Sequence, residues 1–132
     1  MDARDLAVLH AGGRLAVGAA FVLAPGLAGR VWIGDDAGKR PVKVLARAFG
    51  VRDAVLALGV LISLDRGAPV RGWLAGGILS DVVDVAAVLL AGDSIPAGRR
   101  RGCAALGASS TALGAALARA VEDPASSAPR GV

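Results

Sequence analysis

Residues 41–64 read PVKVLARAFGVRDAVLALGVLISL, and residues 69–91 read PVRGWLAGGILSDVVDVAAVLLA. Each stretch is long enough for a helix to cross a hydrocarbon core of about 30 Å. Each opens on a proline, which is tolerated in the first helical turn. Charges also sit in the middle of both: Arg47, Arg52 and Asp53 in one, Asp81 and Asp84 in the other. Apolar helices with opposite charges at mid-length are expected to pack together and neutralise one another. That expectation decides the fold.

Two further stretches of the same kind flank these. One runs over residues 6–27, interrupted by His10 and Arg14 and broken near its end by Pro25-Gly26. The other runs over residues 102–121, after Pro96 and the Arg99-Arg100-Arg101 cluster. The predicted architecture is all-α, a single four-transmembrane-helix bundle over residues 1–121 with spans at about 6–27, 42–64, 70–91 and 102–121. A soluble bundle would show polar stripes at helical period, and here the outer faces read Ala, Val and Leu. Residues 29–41, 65–69 and 92–101 hold Gly, Pro and most of the charges and read as connections. Trp32 and Trp73 fall towards opposite ends, where indole favours the headgroup region. Residues 122–132, with Pro124, Ser126, Ser127 and Pro129, read as a disordered tail.

Composition agrees and excludes several classes. The chain has 132 residues, 55% of them hydrophobic and 20% charged, with a mean hydropathy of +0.60. It is more apolar than an ordinary soluble domain. One cysteine excludes a disulfide framework and a cysteine zinc site. Two Phe, two Trp and no Tyr leave little for stacking on bases, so nucleic acid is not an expected partner despite the net charge of +4. The amino terminus lacks the pattern of a cleaved secretory signal, since Asp2 and Asp5 offset Arg4 and Arg14 cuts the apolar run. Heavy use of Ala, Gly, Val and Arg fits GC-rich bacterial coding, which makes the expected membrane a bacterial plasma membrane. Loops one and three hold Arg30, Lys39, Arg40, Lys43, Arg99, Arg100 and Arg101. The opposite side holds Arg4, Arg66, Arg71, Arg119 and Arg130, seven against five, a slight bias towards both termini outside.

Within the spans remain Arg14, Arg47, Arg52, Asp53, Asp81 and Asp84, three of each sign. A charge at the bilayer centre costs about 2.5–3.5 kcal/mol on insertion scales, so these groups are expected to pair. A helical rise of about 1.5 Å per residue puts Arg47 roughly 6 Å deep, Arg52 roughly 13 Å, Asp84 roughly 10 Å, Asp81 roughly 15 Å and Arg14 roughly 18 Å from one surface. Asp81 and Asp84 share a helix face. The expected cluster is Arg52 with Asp81 and Asp84, Arg14 beside it and Arg47 towards the interface. Asp53 points about 100° away from Arg52 and needs another partner, Arg14 or a symmetry mate. An arginine fork grips a carboxylate at two points, which suits a buried pair.

The cluster has two readings. One is a clamp that fixes helix register. The other is an internal site for a polar headgroup, a quinone, or a translocated ion or proton. A divalent metal between Asp81 and Asp84 is disfavoured by the neighbouring arginines, and no metal site is expected. His10, one turn from Arg14 on the same face, is the only histidine and reads as a helix contact rather than a haem or metal ligand. Cys103 reads as a small packing residue, and Asp35-Asp36 as solvated loop charges. No P-loop, HExxH, GxSxG or CxxC occurs.

Small residues recur at four-residue spacing in Ala46, Gly50 and Ala54, in Gly72, Gly76 and Ser80, and in the row from Ala104 to Ala120, with Ser110 and Gly114 beside it. Such rows allow close helix approach within a bundle or a homodimer. The helix over 102–121, free of charge before Arg119, is the natural lipid-facing or subunit-facing element.

The block from Leu45 to Gly59, LARAFGVRDAVLALG, resembles the R-x-x-G-x-R-D core of a family of small four-helix bacterial membrane proteins, common in actinomycetes and distantly DoxX-like. Arg14, Gly18 and Pro25, and the carboxylates Asp81 and Asp84, fit the same pattern. The resemblance implies a four-helix membrane fold and no assigned reaction. Some DoxX-like proteins are associated with quinone or thiol redox complexes; with one Cys and one His, this chain would need a partner to supply the redox centre. The expected role is that of an accessory or structural membrane subunit, as a homo-oligomer or with a membrane protein partner. The alternative is a protein that binds or transports a small molecule, ion or quinone through the Arg–Asp cluster. An enzyme acting on lipid or quinone, with Asp81 or Asp84 in acid–base roles, is the weakest of the three readings.

Overall fold

A computed structural model describes residues 1–121; the expected disordered tail, 122–132, lies outside the described residues. Among the described residues there are five α-helices, two short 3₁₀ turns and no strand. Helix α1 (Ala3–Leu23) starts with a capping box in which the Asp5 amide donates to Asp2 Oδ1 at 2.8 Å and the Asp2 amide to Asp5 Oδ2 at 3.4 Å. It stops at Leu23, four residues before the expected end of the first apolar run. Pro25 has no N–H and crowds the residue before it. Ala24 is therefore pushed out of the helical region, to φ −131° and ψ 57°. Pro25 then opens α2 (Pro25–Ile33), so much of the expected first loop is itself helical.

A 3₁₀ turn (Gly34–Gly38) leads into α3 (Arg40–Asp65), with Pro41 in its first turn. The end of α3 is a Schellman motif. Gly67 adopts φ +62°, the Ala68 amide donates to the Ser63 carbonyl at 2.8 Å, and the Gly67 amide to Leu64 at 3.4 Å. Then come α4 (Arg71–Leu90), a 3₁₀ turn (Gly92–Ser94) and α5 (Ala97–Ala120).

The four long helices run alternately up and down. Helix α1 packs along α3 and α4 along α5; the two pairs meet mainly through α3 and α4, while α1 and α5 touch little. The α1–α3 crossing depends on two glycines. A Cβ on Gly18 would stand 2.7 Å from the Gly50 carbonyl oxygen, and one on Gly50 would stand 2.6 Å from that of Gly18. Those distances lie below van der Waals contact, so neither position takes a side chain without moving a backbone. Gly59 lets α3 accept the ring of Trp73, and Gly107 and Gly114 let α5 accept Val85 and Ile78 of α4.

At one end Ala7, Ala11, Ala57, Val60, Leu74 and Leu117 form the main apolar core, and Arg4 donates to the Leu64 carbonyl at 3.0 Å. At the other end arginine side chains donate to backbone carbonyls. Arg99 donates to the Arg30 carbonyl at the end of α2, Arg100 to the Gly92 carbonyl, and Arg47 Nε to the Val22 carbonyl at 3.3 Å.

Helices α1 and α4 are long and apolar enough to cross a membrane, with mean hydropathies of 1.7 and 1.8. Only 28% and 17% of those segments is buried within the protein, so most of their apolar surface points outwards. Among the described residues these are the only two helices of that kind. The charges of α3 set it apart, and in α5 the many Gly, Ser and Thr residues together with Arg119 keep the helix less apolar.

Candidate functional site

Midway along the bundle the charges of the long helices join in one chain of contacts. Ser110 of α5 donates to Asp81 Oδ2 of α4 at 2.7 Å. Arg14 of α1 donates through Nη2 to the same Asp81 oxygen and to Ser110 Oγ (3.3 Å), and through Nη1 to Asp53 Oδ1 of α3 at 3.1 Å. Asp53 also accepts from Arg52 Nη2 at 3.4 Å. Arg52 grips Asp84 of α4 with both forks, at 3.0 and 2.5 Å. The sequence Ser110–Asp81–Arg14–Asp53–Arg52–Asp84 thus ties all four long helices together.

Burial grades along this chain. The side chains of Arg14, Asp53 and Asp81 are 8%, 9% and 10% exposed, against 34% for Arg52 and 29% for Asp84. The Arg52 guanidinium also lies 4.6 Å from the centre of the Phe49 ring, a cation–π contact. A carboxylate withdrawn from water holds its charge only beside a donor of opposite sign. Arg14 serves two carboxylates at once because its planar fork presents several N–H groups in fixed directions.

The expected set of Arg52 with both Asp81 and Asp84 is therefore divided. Arg52 takes Asp84, and Asp81 goes to Arg14. Asp53 finds Arg14, the partner on its own chain, and also lies within reach of Arg52. Arg47 is not part of the assembly; it stands at the surface and caps the end of α1. His10 makes no side-chain hydrogen bond among the described residues but lines the cavity beside Arg14. Asp81 and Asp84 are each engaged by an arginine, and the described residues gather no group of three metal-ligating side chains.

Where α1 and α5 fail to close, a cleft of about 370 Å³ opens onto this assembly. Its floor is Arg14, Asp53, Asp81, Asp84 and Ser110. Leu9 and Val17 of α1, Val85 and Val88 of α4, and Leu106 and Leu113 of α5 form its walls. Leu9, Val17, Leu106 and Leu113 are also exposed on the outer surface, so the cleft opens sideways between helices. Gly13 and Gly107 widen it. Trp32 and Phe49 close one end, where Trp32, Phe21 and Phe49 pack with centroids 4.8–6.3 Å apart. Cys103 donates to the Trp32 carbonyl at 3.7 Å in the same place.

Ser110, expected only to pack, donates a hydrogen bond to Asp81. The signal for Ser110 was present: Ser109-Ser110-Thr111 is a run of hydroxyls inside an otherwise apolar segment, and Ser110 extends the charge assembly to α5. No family model, curated protein or solved structure matches the chain.

Proposed function

We propose that the protein is a multi-pass membrane protein of four spans, α1, α3, α4 and α5, in a bacterial plasma membrane, and that its lateral cleft binds an amphiphilic small molecule. The observation that carries this reading is the cleft itself, apolar on its walls and charged on its floor. An amphiphile entering sideways from the bilayer would lay its body against Leu9, Val17, Leu106 and Leu113 and set its polar head on the Arg14–Asp81–Ser110 group. A few placed polar groups at the base of an apolar cavity are the usual make-up of a small-molecule site. The outward apolar faces of α1 and α4 support the membrane setting, because soluble monomers rarely expose so much contiguous apolar surface. The mutual pairing of the charges on α3 and α4 supports insertion of α3.

The accessory-subunit reading, alone or as a homo-oligomer, is favoured by a different observation. Arg14, Arg52, Asp53, Asp81 and Asp84 all pair within the chain, as a clamp that sets register would require.

Native mass spectrometry of protein released from membrane-derived nanodiscs separates the two. The binding reading expects one retained small molecule per chain, lost in Gly13→Leu. Gly13 lines the cleft and a Cβ there meets nothing within 4 Å, so a leucine side chain is placed to occupy the cleft. Retention of exchangeable bulk phospholipid alone, unchanged in Gly13→Leu, would reject the binding reading in favour of the accessory one.

A further inference from the structure

The charge count of the cleft goes one step further, and rests on the binding reading above. The assembly holds two guanidinium groups, Arg14 and Arg52, and three carboxylates, Asp53, Asp81 and Asp84. Of these, all three carboxylates line the cleft, but of the two arginines only Arg14 does; Arg52 is outside the lining and bonded to Asp53 and Asp84. The floor that a ligand would meet is therefore acidic, and the whole assembly carries one carboxylate more than its arginines balance.

The surrounding elements offer little to offset it. Helix α1 contributes His10 in addition to Arg14, and α5 contributes the neutral side chains Ser109, Ser110 and Cys103. Helix α2 contributes Trp32, and α4 adds only Val85 and Val88. His10 lies one turn from Arg14, so a proton on its ring would face the guanidinium as a like charge. A net charge enclosed by apolar walls is costly, and such sites recover neutrality by taking up a proton or a counter-ion.

We infer that the ligand of the cleft carries a positive charge on its head, and that this cation and a proton compete for the surplus carboxylate. When the cleft is empty one carboxyl of the assembly is protonated. When the cation enters, that proton leaves to water and the head takes its place against the carboxylates, so the charge of the assembly with its occupant stays at zero. The exchange gives the cleft a selection rule, favouring cationic amphiphiles over neutral or anionic ones of the same shape. It also couples occupancy to pH: acidification restores the proton and weakens cation binding.

The test uses tetraphenylphosphonium and tetraphenylborate, ions of nearly the same size and shape and opposite charge. Binding to the full chain in lipid nanodiscs is measured against empty nanodiscs of the same lipid. The expected result is saturable binding of the cation, at least tenfold tighter than any saturable binding of the anion. Its affinity should fall on acidification by up to about tenfold per pH unit, the limit for one exchanged proton. Asp84→Asn, which leaves two arginines facing two carboxylates, should lose both the preference and the pH dependence. His10→Asn, which also alters the cleft lining, should keep the pH dependence.

Equal binding of the two ions, or tighter binding of the anion, would overturn the inference while leaving the binding reading in place. So would a neutral quinone as the retained molecule. Loss of the pH dependence in His10→Asn would move the proton to the imidazole and overturn its assignment to a carboxyl. Absence of saturable binding of either ion also overturns the inference; the retained-ligand measurement on the same preparation then decides separately whether the cleft binds anything.

Discussion

Arg14 of α1 and Asp53 of α3 meet at 3.1 Å, their side chains both less than one-tenth exposed, halfway along the two helices that pack most closely. Arg14 also holds Asp81 of α4, so this single residue joins the α1–α3 pair to the α4–α5 pair. Arg14→Ala would leave two buried carboxylates without their main donor. Loss of one partner from a buried ion pair costs about 3–5 kcal/mol. We expect Arg14→Ala to lose that much in reversible unfolding by dodecyl sulfate in mixed micelles. A loss of less than about 1 kcal/mol, the range of exposed pairs, would show that the assembly does not hold the helices together.

The pairing of Arg52 sets a second expectation. Arg52 grips Asp84 with both forks, whereas Asp81 faces Arg14. The exchange Arg52→Asp with Asp84→Arg should recover most of the stability lost in either single variant. The exchange of Arg52 with Asp81 should not, because an arginine at 81 would face Arg14 as a like charge. Double-mutant cycles in the same unfolding assay measure both couplings.

The close crossing of α1 and α3 predicts opposite effects of one substitution at neighbouring glycines. Alanine is a better helix former than glycine by about 1 kcal/mol. At Gly12, where a Cβ meets nothing within 4 Å, that gain should appear as higher stability. At Gly18 the same Cβ would press on Gly50 and Ala54 backbone atoms at 2.7 and 2.9 Å. Overpacking of this kind costs about 1–3 kcal/mol, so Gly18→Ala should be destabilising despite its better propensity. Thermal unfolding of the two variants side by side checks the sign of each.

Gly67→Ala isolates a backbone effect. Nothing lies within 4 Å of a Cβ there, yet φ is +62°. A left-handed conformation costs an L-residue about 1–2 kcal/mol, and we expect a loss of that size with no change in the cleft or its binding. An unchanged melting temperature would mean that the end of α3 can rearrange without its Schellman motif.

Much of this structure was legible from the sequence. Apolar runs between Pro- and Gly-bearing connections mark the four long helices, because proline and glycine act through local backbone chemistry. Matched depths on successive helices brought Arg14, Arg52, Asp81 and Asp84 to one level. Rotation about the helix axis was harder to read. Which arginine takes which carboxylate depends on how α1 turns against α3, and that turn is set by the Gly18–Gly50 crossing. A chain with 19 glycines offers many such crossings and no local reason to prefer one. The same excess of small residues explains α5. Its regular alanine row, including Ala108, Ala112 and Ala116, is exposed, and the contact with α4 runs through Gly107 and Gly114. The cleft was not legible either, because it exists where α1 and α5 do not pack, and a missing contact leaves no pattern in a sequence.

The central proposal is that α1, α3, α4 and α5 all cross the membrane, with the charges inside α3 neutralised by partners within the bundle. Single cysteines at Asp36, Arg66 and Asp93, introduced into a Cys103→Ala chain, test it through labelling of sealed vesicles with a membrane-impermeant maleimide. The four-span bundle predicts that positions 36 and 93 label from one side only and position 66 from the other. Labelling of 36 and 66 from the same side would contradict it, because α3 would then return without crossing.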